Sequence, residues 1–254
     1  MKQLIINADD FGFTHDVNAG ILHCHLQGVL TSTTLMATGK AFADAVQITK
    51  RTPTLDVGCH LVLVQGNSVL TGRPLPEKPR ELLVALARRQ LNVYAELRAQ
   101  IEKILDAGIR PTHLDSHKHT HIVPTIFRAV VRLAHEFEIP YVRLPLAGRY
   151  YRRMARGLNV HMTDHFFGFR LTGRLDEQSF ARALANLPEG TTEFMCHPGF
   201  LGDELRHAKT RLKEARVKEL EALTSPKVRE IMAAKGIVLA AFDKVASAGG
   251  EASC

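Results

Sequence analysis

Residues 4–12, LIINADDFG, combine an apolar run with two adjacent carboxylates and a Phe-Gly pair. The apolar run predicts a short buried β-strand. Asp9 and Asp10 follow it, and on a regular strand two neighbouring side chains would point to opposite faces. We expect the turn at 11–12 to aim both carboxylates to one side. Because paired carboxylates repel and a nearby cation removes that cost, the segment predicts a binding site rather than a simple helix cap.

Short apolar runs alternate with longer segments of helical periodicity along the rest of the chain. Strand-then-helix repetition predicts an α/β fold with a parallel sheet. The predicted strands are 4–6, 31–37, 57–64, 141–144, 193–197 and 237–241, and the predicted helices are 42–49, 97–108, 124–136, 180–187, 211–223 and 226–235.

The polar residues of interest fall near the carboxyl ends of at least four of these predicted strands. Closed β/α barrels assemble their sites at this end, whereas an open doubly wound sheet concentrates its site at one switch point. The pattern therefore favours a single-domain β/α barrel of the TIM type, and it allows fewer than eight strands.

The composition is ordinary for a globular chain, with 254 residues, 45% hydrophobic and 23% charged. This length fits one barrel-sized domain over 1–246, followed by a small polar tail at 247–254 that we expect to be flexible. The net charge of +7 allows an anionic partner. Because the basic residues are spread along the helices, a solvated basic face is favoured. Peripheral contact with lipid headgroups is the alternative, and no nucleic-acid partner is predicted.

Four scattered cysteines without a Cys-x-x-Cys pair predict no disulfide scaffold. We see no signal peptide and no segment long enough to span a bilayer, so we expect a cytoplasmic protein. A Pro-rich segment at 72–79 interrupts the strand and helix alternation. We predict that this insert, 65–80 with its flanks, is a surface loop or a lid.

Histidines are densest at 112–121, THLDSHKHTH. They cannot all reach one metal at about 2.0–2.1 Å, so one or two would bind it and the others would support a ligand or meet substrate. An exposed patch with incidental metal affinity is the alternative. Strand alternation would place on one face the side chains of His113, Asp115, His117, His119 and His121.

Two more histidines lie in predicted strands. His60 interrupts an apolar strand, where a lone histidine is more often a hydrogen-bonded core residue. His197 ends a strand before a Pro-Gly turn, and a turn histidine without a role is the alternative. Imidazole and carboxylate together are the ligands of zinc and other divalent metals, so the whole set predicts a metal-dependent hydrolase. No P-loop, dinucleotide-binding or Gly-x-Ser-x-Gly motif is present.

Five motifs follow one another along the chain: NADDFG at 7–12, TSTT at 31–34, GCHL at 58–61, THLDSH at 112–117 and HPG at 197–199. In this order they resemble the motifs of the YdjC-like (ChbG-type) carbohydrate deacetylases, and the resemblance spans most of the chain. The segments at 60–64, 142–145 and 166–170 are most similar to the hopanoid-biosynthesis branch of that family, called HpnK. The Pro-rich insert and the last helices match least.

The resemblance implies a distorted, incomplete β/α barrel that binds one divalent cation, zinc or magnesium. Carried onto this sequence, it implies Asp10, His60 and His117 as metal ligands. Asp9 would be the general base, and His197 would be an acid or would stabilise the transition state. Contact with substrate or support of these residues is expected of Asp115, His119, His121 and Arg143. Lys118 departs from the family pattern, which often has histidine there, so no role carries over to it.

The implied activity is removal of the acetyl group from an N-acetylated amino sugar, with release of acetate. Two histidines and one carboxylate leave open positions for water and the acetamide oxygen, so the residues suit this chemistry. The substrate is either a soluble chito-oligosaccharide or an N-acetylglucosaminyl group on a hopanoid lipid. The basic surface and the HpnK-like motifs favour the lipid, and the resemblance also implies a homodimer.

Two other classes of function stay open. A phosphoesterase with two metals needs additional bridging carboxylates, and only Asp9, Asp10 and Asp115 are obvious here. A non-enzymatic sugar or metal binder is the other class. Sugar-binding modules rely on aromatic platforms, however, and this chain has no Trp and only 6% aromatic residues.

Overall fold

Strands and helices alternate along most of the computed structural model, which describes residues 1–146 and 148–245. The strands are β1 (Lys2–Phe11), β2 (Ser32–Leu35), β3 (Asp56–Leu61), β4 (His113–Ser116), β5 (Tyr141–Val142), β6 (His165–Phe167), β7 (Gly190–Cys196) and β8 (Ile237–Leu239). The helices are α1 (His15–Gln27), α2 (Phe42–Arg51), α3 (Pro79–Ala87), α4 (Val93–Asp106), α5 (Pro124–Glu136), α6 (Gly148–Met154), α7 (Glu177–Ala185), α8 (Asp203–His207), α9 (Glu214–Thr224) and α10 (Pro226–Ala234). Short 3-10 helices cover His117–Ile122 and Phe169–Leu171. The predicted tail at 247–254 lies outside the described residues.

The described strands form one curled parallel sheet in the order β5-β4-β3-β2-β1-β7-β6, with β8 paired to the start of β1. Beyond β5, an isolated parallel bridge joins Tyr141 to His161. Helices surround this half-barrel, so the predicted single-domain α/β fold, a distorted and incomplete TIM-like barrel, is confirmed. Within the described residues, no helix is long and apolar enough to cross a membrane.

β1 is the central strand, and its side chains alternate between two environments. Leu4, Ile6 and Ala8 belong to the main apolar core shared by the sheet and the helices. Ile5 belongs instead to a small separate cluster. The interior of the barrel is therefore distinct from the helix-facing core, and polar side chains can occupy it without disturbing the apolar layer.

The sequence predicts that Asp9 and Asp10 follow the first strand, but both lie inside β1, because this strand extends to Phe11. The register with β2 shifts between Ala8 and Phe11, and Asp10 has a left-handed φ of 69°. An irregularity of this kind bends a strand and re-aims a side chain. It brings Asp9 and Asp10 to the wall of one cavity. The irregularity within the strand thus has the effect that the sequence predicted for the turn at 11–12.

Thr14 is the N-cap of α1, and its Oγ1 accepts a hydrogen bond from the Val17 N–H at 3.2 Å. The helix then passes very close to the loop that follows β7. A Cβ added to Gly20 would lie 2.5 Å from the Cα of Gly199, so only glycine permits this approach. The contact fixes the Pro-Gly turn after His197 against α1.

Other predicted boundaries change for local reasons. The strand predicted at 57–64 ends at Leu61, because the Gln100 side chain takes both backbone hydrogen bonds of Val62, at 2.8 and 2.7 Å. The strand predicted at 141–144 covers only Tyr141–Val142, and β6 was not predicted. The Pro-rich insert leads directly into α3.

Residues after β8 close the amino-terminal end of the barrel. The Phe242 ring stacks on the His113 ring with centroids 3.9 Å apart, and the backbone N–H of Phe242 donates to Asp56 Oδ2 at 2.9 Å. Phe242 also packs with Ile5 and Tyr141 in the small interior cluster. The end of the barrel opposite the strand carboxyl termini is thus filled by side chains.

We expect Phe242→Ala to lower the free energy of unfolding by about 3–5 kcal/mol, because it empties this buried position. Phe200→Ala removes a ring that is 40% exposed and serves as the control, with an expected change within about 0.5 kcal/mol. Urea denaturation measures both changes. Equal losses in the two variants would contradict the role of Phe242 as the closing residue.

Candidate active site

The carboxyl ends of the parallel strands surround a cavity of about 920 Å³. β1, β3, the 3-10 helix after β4 and the loop after β7 each supply a residue to its wall. This is the end at which β/α barrels assemble their sites. The predicted catalytic and metal-binding residues all line the cavity: Asp9, Asp10, His60, His117 and His197.

Three of these side chains converge on one point of the wall. Asp10 Oδ1 lies 3.0 Å from His117 Nδ1 and 3.4 Å from His60 Nε2. The two ring nitrogens are also 3.4 Å apart. Donor atoms bound to one tetrahedral zinc at about 2.0–2.1 Å stand roughly 3.3 Å from one another. The spacing and the chemistry of this donor set therefore fit a single divalent cation.

Two buried contacts orient the triad formed by Asp10, His60 and His117. His60 Nδ1 lies 2.7 Å from Asp115 Oδ1, which orients the ring so that Nε2 faces the other two donors. Burial works against a charge on His60, but the carboxylates of Asp115, Asp10 and Asp9 together outweigh it and raise the pKa of His60 to about 10. Asp10 Oδ2 pairs with Arg216, which holds the pKa of Asp10 well below its usual value despite burial. Asp115, predicted to contact substrate or support the site, thus contacts His60.

Arg143 lies beneath Asp9 and is fully buried. Its Nη1 and Nη2 donate to the two carboxylate oxygens of Asp9 at 2.9 and 2.7 Å. Nη2 is also 2.8 Å from Asp115 Oδ2, and Nε donates to Glu193 Oε1 at 2.8 Å. One guanidinium thus binds three carboxylates from three strands. Arg143 supports other site residues and does not line the cavity.

This arrangement separates the pKa values of the three carboxyl groups. Burial alone would raise the pKa of Asp9, but the bidentate contact with Arg143 outweighs it and lowers that pKa well below its usual value. Burial dominates at Asp115 and Glu193, and it raises the pKa of both. Among the three carboxylates bound to Arg143, Asp9 therefore stays ionised most readily. It is also the one of the three that lines the cavity.

His197 lies across from Asp9, directly after β7. Its Nε2 is 3.9 Å from Asp9 Oδ2, and its Nδ1 is 3.9 Å from Glu219 Oε2. Burial lowers the pKa of His197 to about 4. Burial therefore favours the neutral form of the ring, and the role of His197 as an acid or as a stabiliser of the transition state stays a prediction. Its proton must come from a neighbouring group during a reaction.

The His-rich segment does not continue as a strand. β4 ends at Ser116, and in the 3-10 helix that follows Lys118 and His119 have left-handed φ angles of 52° and 51°. The predicted alternation is therefore wrong beyond Ser116. His119 lines the cavity with its ring 4.8 Å from that of Phe169, whereas His121 is buried and hydrogen bonds to Ser116 at 2.6 Å.

Three buried charged residues of the site were missed by the sequence analysis. Glu193 lies on β7, and Arg216 and Glu219 lie one turn apart on α9. Glu193 lies four residues before His197, so strand alternation places both side chains on the same face of the sheet. This spacing could have identified Glu193 as a residue of the site. The two α9 residues look like members of an ordinary solvated ion-pair pattern, and nothing in the sequence separates them from it.

The rim of the cavity is strongly basic. One carboxylate, Glu77, lies among the cations and is 3.7 Å from Lys209. Gln65, Glu77 and Lys78 of the Pro-rich insert reach the cavity wall, so the insert borders the site, and its closure over substrate stays a prediction. The cations are Lys78, Lys118, Arg170, Arg174, Lys209 and Arg211.

Comparison with known proteins identifies chains with the same architecture. A sequence model described as YdjC-like protein matches residues 3–234. A carbohydrate deacetylase from Brevibacillus brevis is 35% identical over 96% of this chain and 99% of its own length. One from Geobacillus stearothermophilus is 34% identical over 95% and 97%. The crystal structure of a proposed cellobiose-phosphate cleavage protein from Enterococcus faecalis superposes with a TM-score of 0.83 at 28% identity, covering 96% of this chain and 98% of the other.

Replacing Arg143 by Met tests the buried network. The substitution leaves three carboxylates without their cation, so we expect the free energy of unfolding to fall by about 3–5 kcal/mol. Arg98→Met removes a 44% exposed guanidinium that pairs with Glu102 and Glu136, and its expected cost is below about 1 kcal/mol. Chemical denaturation compares the two. A loss for Arg143→Met no larger than for Arg98→Met would contradict the central role of Arg143.

Proposed function

The chain belongs to the YdjC-like family, and we propose that it is a metal-dependent deacetylase of N-acetylated amino sugars. It is a hydrolase that acts on an amide C–N bond, as the carbohydrate deacetylases among its relatives indicate. The observation that carries the proposal is the convergence of Asp10, His60 and His117 beside an ionised Asp9 and a facing His197. The chemistry of an amide, a poor electrophile with a poor leaving group, explains why these parts are needed together.

Asp10, His60 and His117 would hold the cation, either zinc or magnesium. When bound, a divalent cation supplies a Lewis acid for the acetamide carbonyl and makes water more acidic. Arg143 keeps Asp9 ionised and fixes its direction, so Asp9 is suited to accept a proton from the attacking water. His197, on the opposite side of Asp9, is suited to deliver a proton to the amine as the C–N bond breaks.

A phosphoesterase with two metals is less well supported. A second set of donor atoms is formed by Asp9, His60 and Asp115. However, Arg143 Nη2 already binds both Asp9 and Asp115, so a guanidinium takes the place that a second cation would need. The arrangement supports one metal and therefore the deacetylase.

For the substrate we propose an N-acetylglucosaminyl group carried by a hopanoid lipid, with a soluble chito-oligosaccharide as the alternative. The basic rim and the exposed apolar side chains of the insert support this choice. Leu70 is 51% exposed, and Leu83 on the adjoining α3 is 53% exposed. The same surface supports our proposal of peripheral contact with membrane lipid. A homodimer and a cytoplasmic location remain predictions.

Acetate release tests the function. The protein is treated with a chelator and then assayed with and without one equivalent of zinc or magnesium on chitobiose, N-acetylglucosamine and a detergent-dispersed N-acetylglucosaminyl hopanoid. We expect release only with metal and fastest from the lipid-linked sugar. Unchanged release after chelation would contradict the metal dependence, and faster release from chitobiose would contradict the lipid. Silence across the panel would contradict deacetylation.

Asp9→Asn tests the base. The variant should retain one equivalent of metal, because Asp9 is outside the triad, while kcat falls by about 10²–10⁴-fold. Asp106→Asn at the exposed end of α4 is the control and should behave as the unmodified protein. Full activity of Asp9→Asn with metal bound would show that Asp9 is not the base.

A further inference from the structure

Helix α9 carries two buried charged side chains that the reaction described above does not use. Arg216 and Glu219 are each 1% exposed and lie one turn apart on the same face of the helix. They reach different parts of the site: Arg216 pairs with Asp10, and Glu219 contacts His197. Burial of two charged groups on one helix face is costly unless each has a defined partner.

Glu219 holds His197 at its backbone and lies next to its ring. Glu219 Oε2 accepts a hydrogen bond from the His197 backbone N–H and is 3.9 Å from His197 Nδ1. On the other side of the ring, Nε2 is 3.9 Å from Asp9 Oδ2. The imidazole therefore lies between two carboxylates, with Nδ1 towards α9 and Nε2 towards Asp9 and the cavity.

Each residue of this pair keeps one side-chain atom without a hydrogen bond. Among the described residues, His197 Nδ1 and Glu219 Oε1 are both buried side-chain atoms without a hydrogen bond. Leaving a buried polar atom unpaired costs about 1–3 kcal/mol. A hydrogen bond from Nδ1–H to the Glu219 carboxylate would satisfy the ring nitrogen, and Oε2 of that carboxylate is 3.9 Å away.

We propose that Glu219 is a positioning residue that accepts a hydrogen bond from His197 Nδ1–H and so fixes the tautomer whose Nε2 lone pair faces the reaction. A neutral imidazole carries one N–H, so this bond determines which nitrogen can receive a proton. The carboxylate also stabilises the imidazolium once Nε2 is protonated. This inference rests on the proposed deacetylation.

The proton balance of the reaction then closes within the site. The water oxygen bonds to the acetyl carbon, and its proton passes to Asp9 and on to His197 Nε2. The C–N bond breaks with its electron pair on nitrogen, and nitrogen takes the proton from Nε2. His197 returns to the neutral form with Nδ1–H bonded to Glu219. The second water proton stays on the acid, so acetic acid leaves with the free amine and ionises to acetate in solvent.

The first test reads the tautomer of His197 directly. The zinc-loaded full-length protein is labelled with ¹⁵N-histidine, and the His197 signals are identified by their absence in His197→Gln. We expect the Nδ1–H tautomer. A ring protonated at Nε2 instead would overturn the proposal. This measurement needs no turnover, so it gives an answer even if no acetylated sugar proves to be a substrate, in which case only the deacetylase function fails.

The second test separates positioning from a merely structural role. Glu219→Gln keeps the size and an accepting oxygen but removes the charge. We expect kcat to fall by about 10–100-fold, with KM within about twofold and one metal retained. Glu219→Asp should restore part of kcat. Glu221→Gln, at an exposed position of the same helix, is the control and should leave kcat unchanged.

Two results of the second test would overturn the proposal. One is a wild-type kcat in Glu219→Gln. The other is a loss in Glu219→Gln that follows loss of metal or of thermal stability and that Glu219→Asp does not relieve.

Discussion

A single buried guanidinium organises the interior of the barrel. Arg143 lies just after the short edge strand β5, and it binds carboxylates from β1, β4 and β7. Removing these charges from water costs several kcal/mol for each ion, and only a precise arrangement of partners offsets that cost. The network therefore ties strands from the centre and the edge of the sheet to one relative placement, and a shift of register in any of them would leave a charge unpaired.

The site inherits its geometry from this network. Asp115 connects Arg143 to His60, so the orientation of this proposed metal ligand depends on the same guanidinium that aims Asp9. A second layer comes from α9, whose Arg216 contacts Asp10 and whose Glu219 contacts His197. The cavity wall is thus held from below by the barrel and from one side by a helix.

The fold class and the main residues of the cavity could be predicted from sequence, because these residues lie in or next to apolar strands. The Asp pair and His60 were placed in the cavity from such neighbourhoods, and the fold class followed from their repeated position at strand ends. The arrangement after Ser116 could not be predicted, since left-handed backbone at Lys118 and His119 leaves no pattern in side-chain polarity. The partners of Arg143 could not be identified either, because they are distant in sequence and meet only when the sheet curls.

The pairing of β1 also governs when the molecule can form during its synthesis. Its neighbours β7 and β8 are both distant along the chain: Lys2 pairs with Gly190 and with Ile237. The ribosome therefore synthesises the central strand and its neighbour β2 long before these two other partners exist. Contacts of such long range form slowly, and an apolar strand with open edges is prone to wrong association in the meantime. The barrel closes only after Phe242 has emerged, so completion of the fold is a late event.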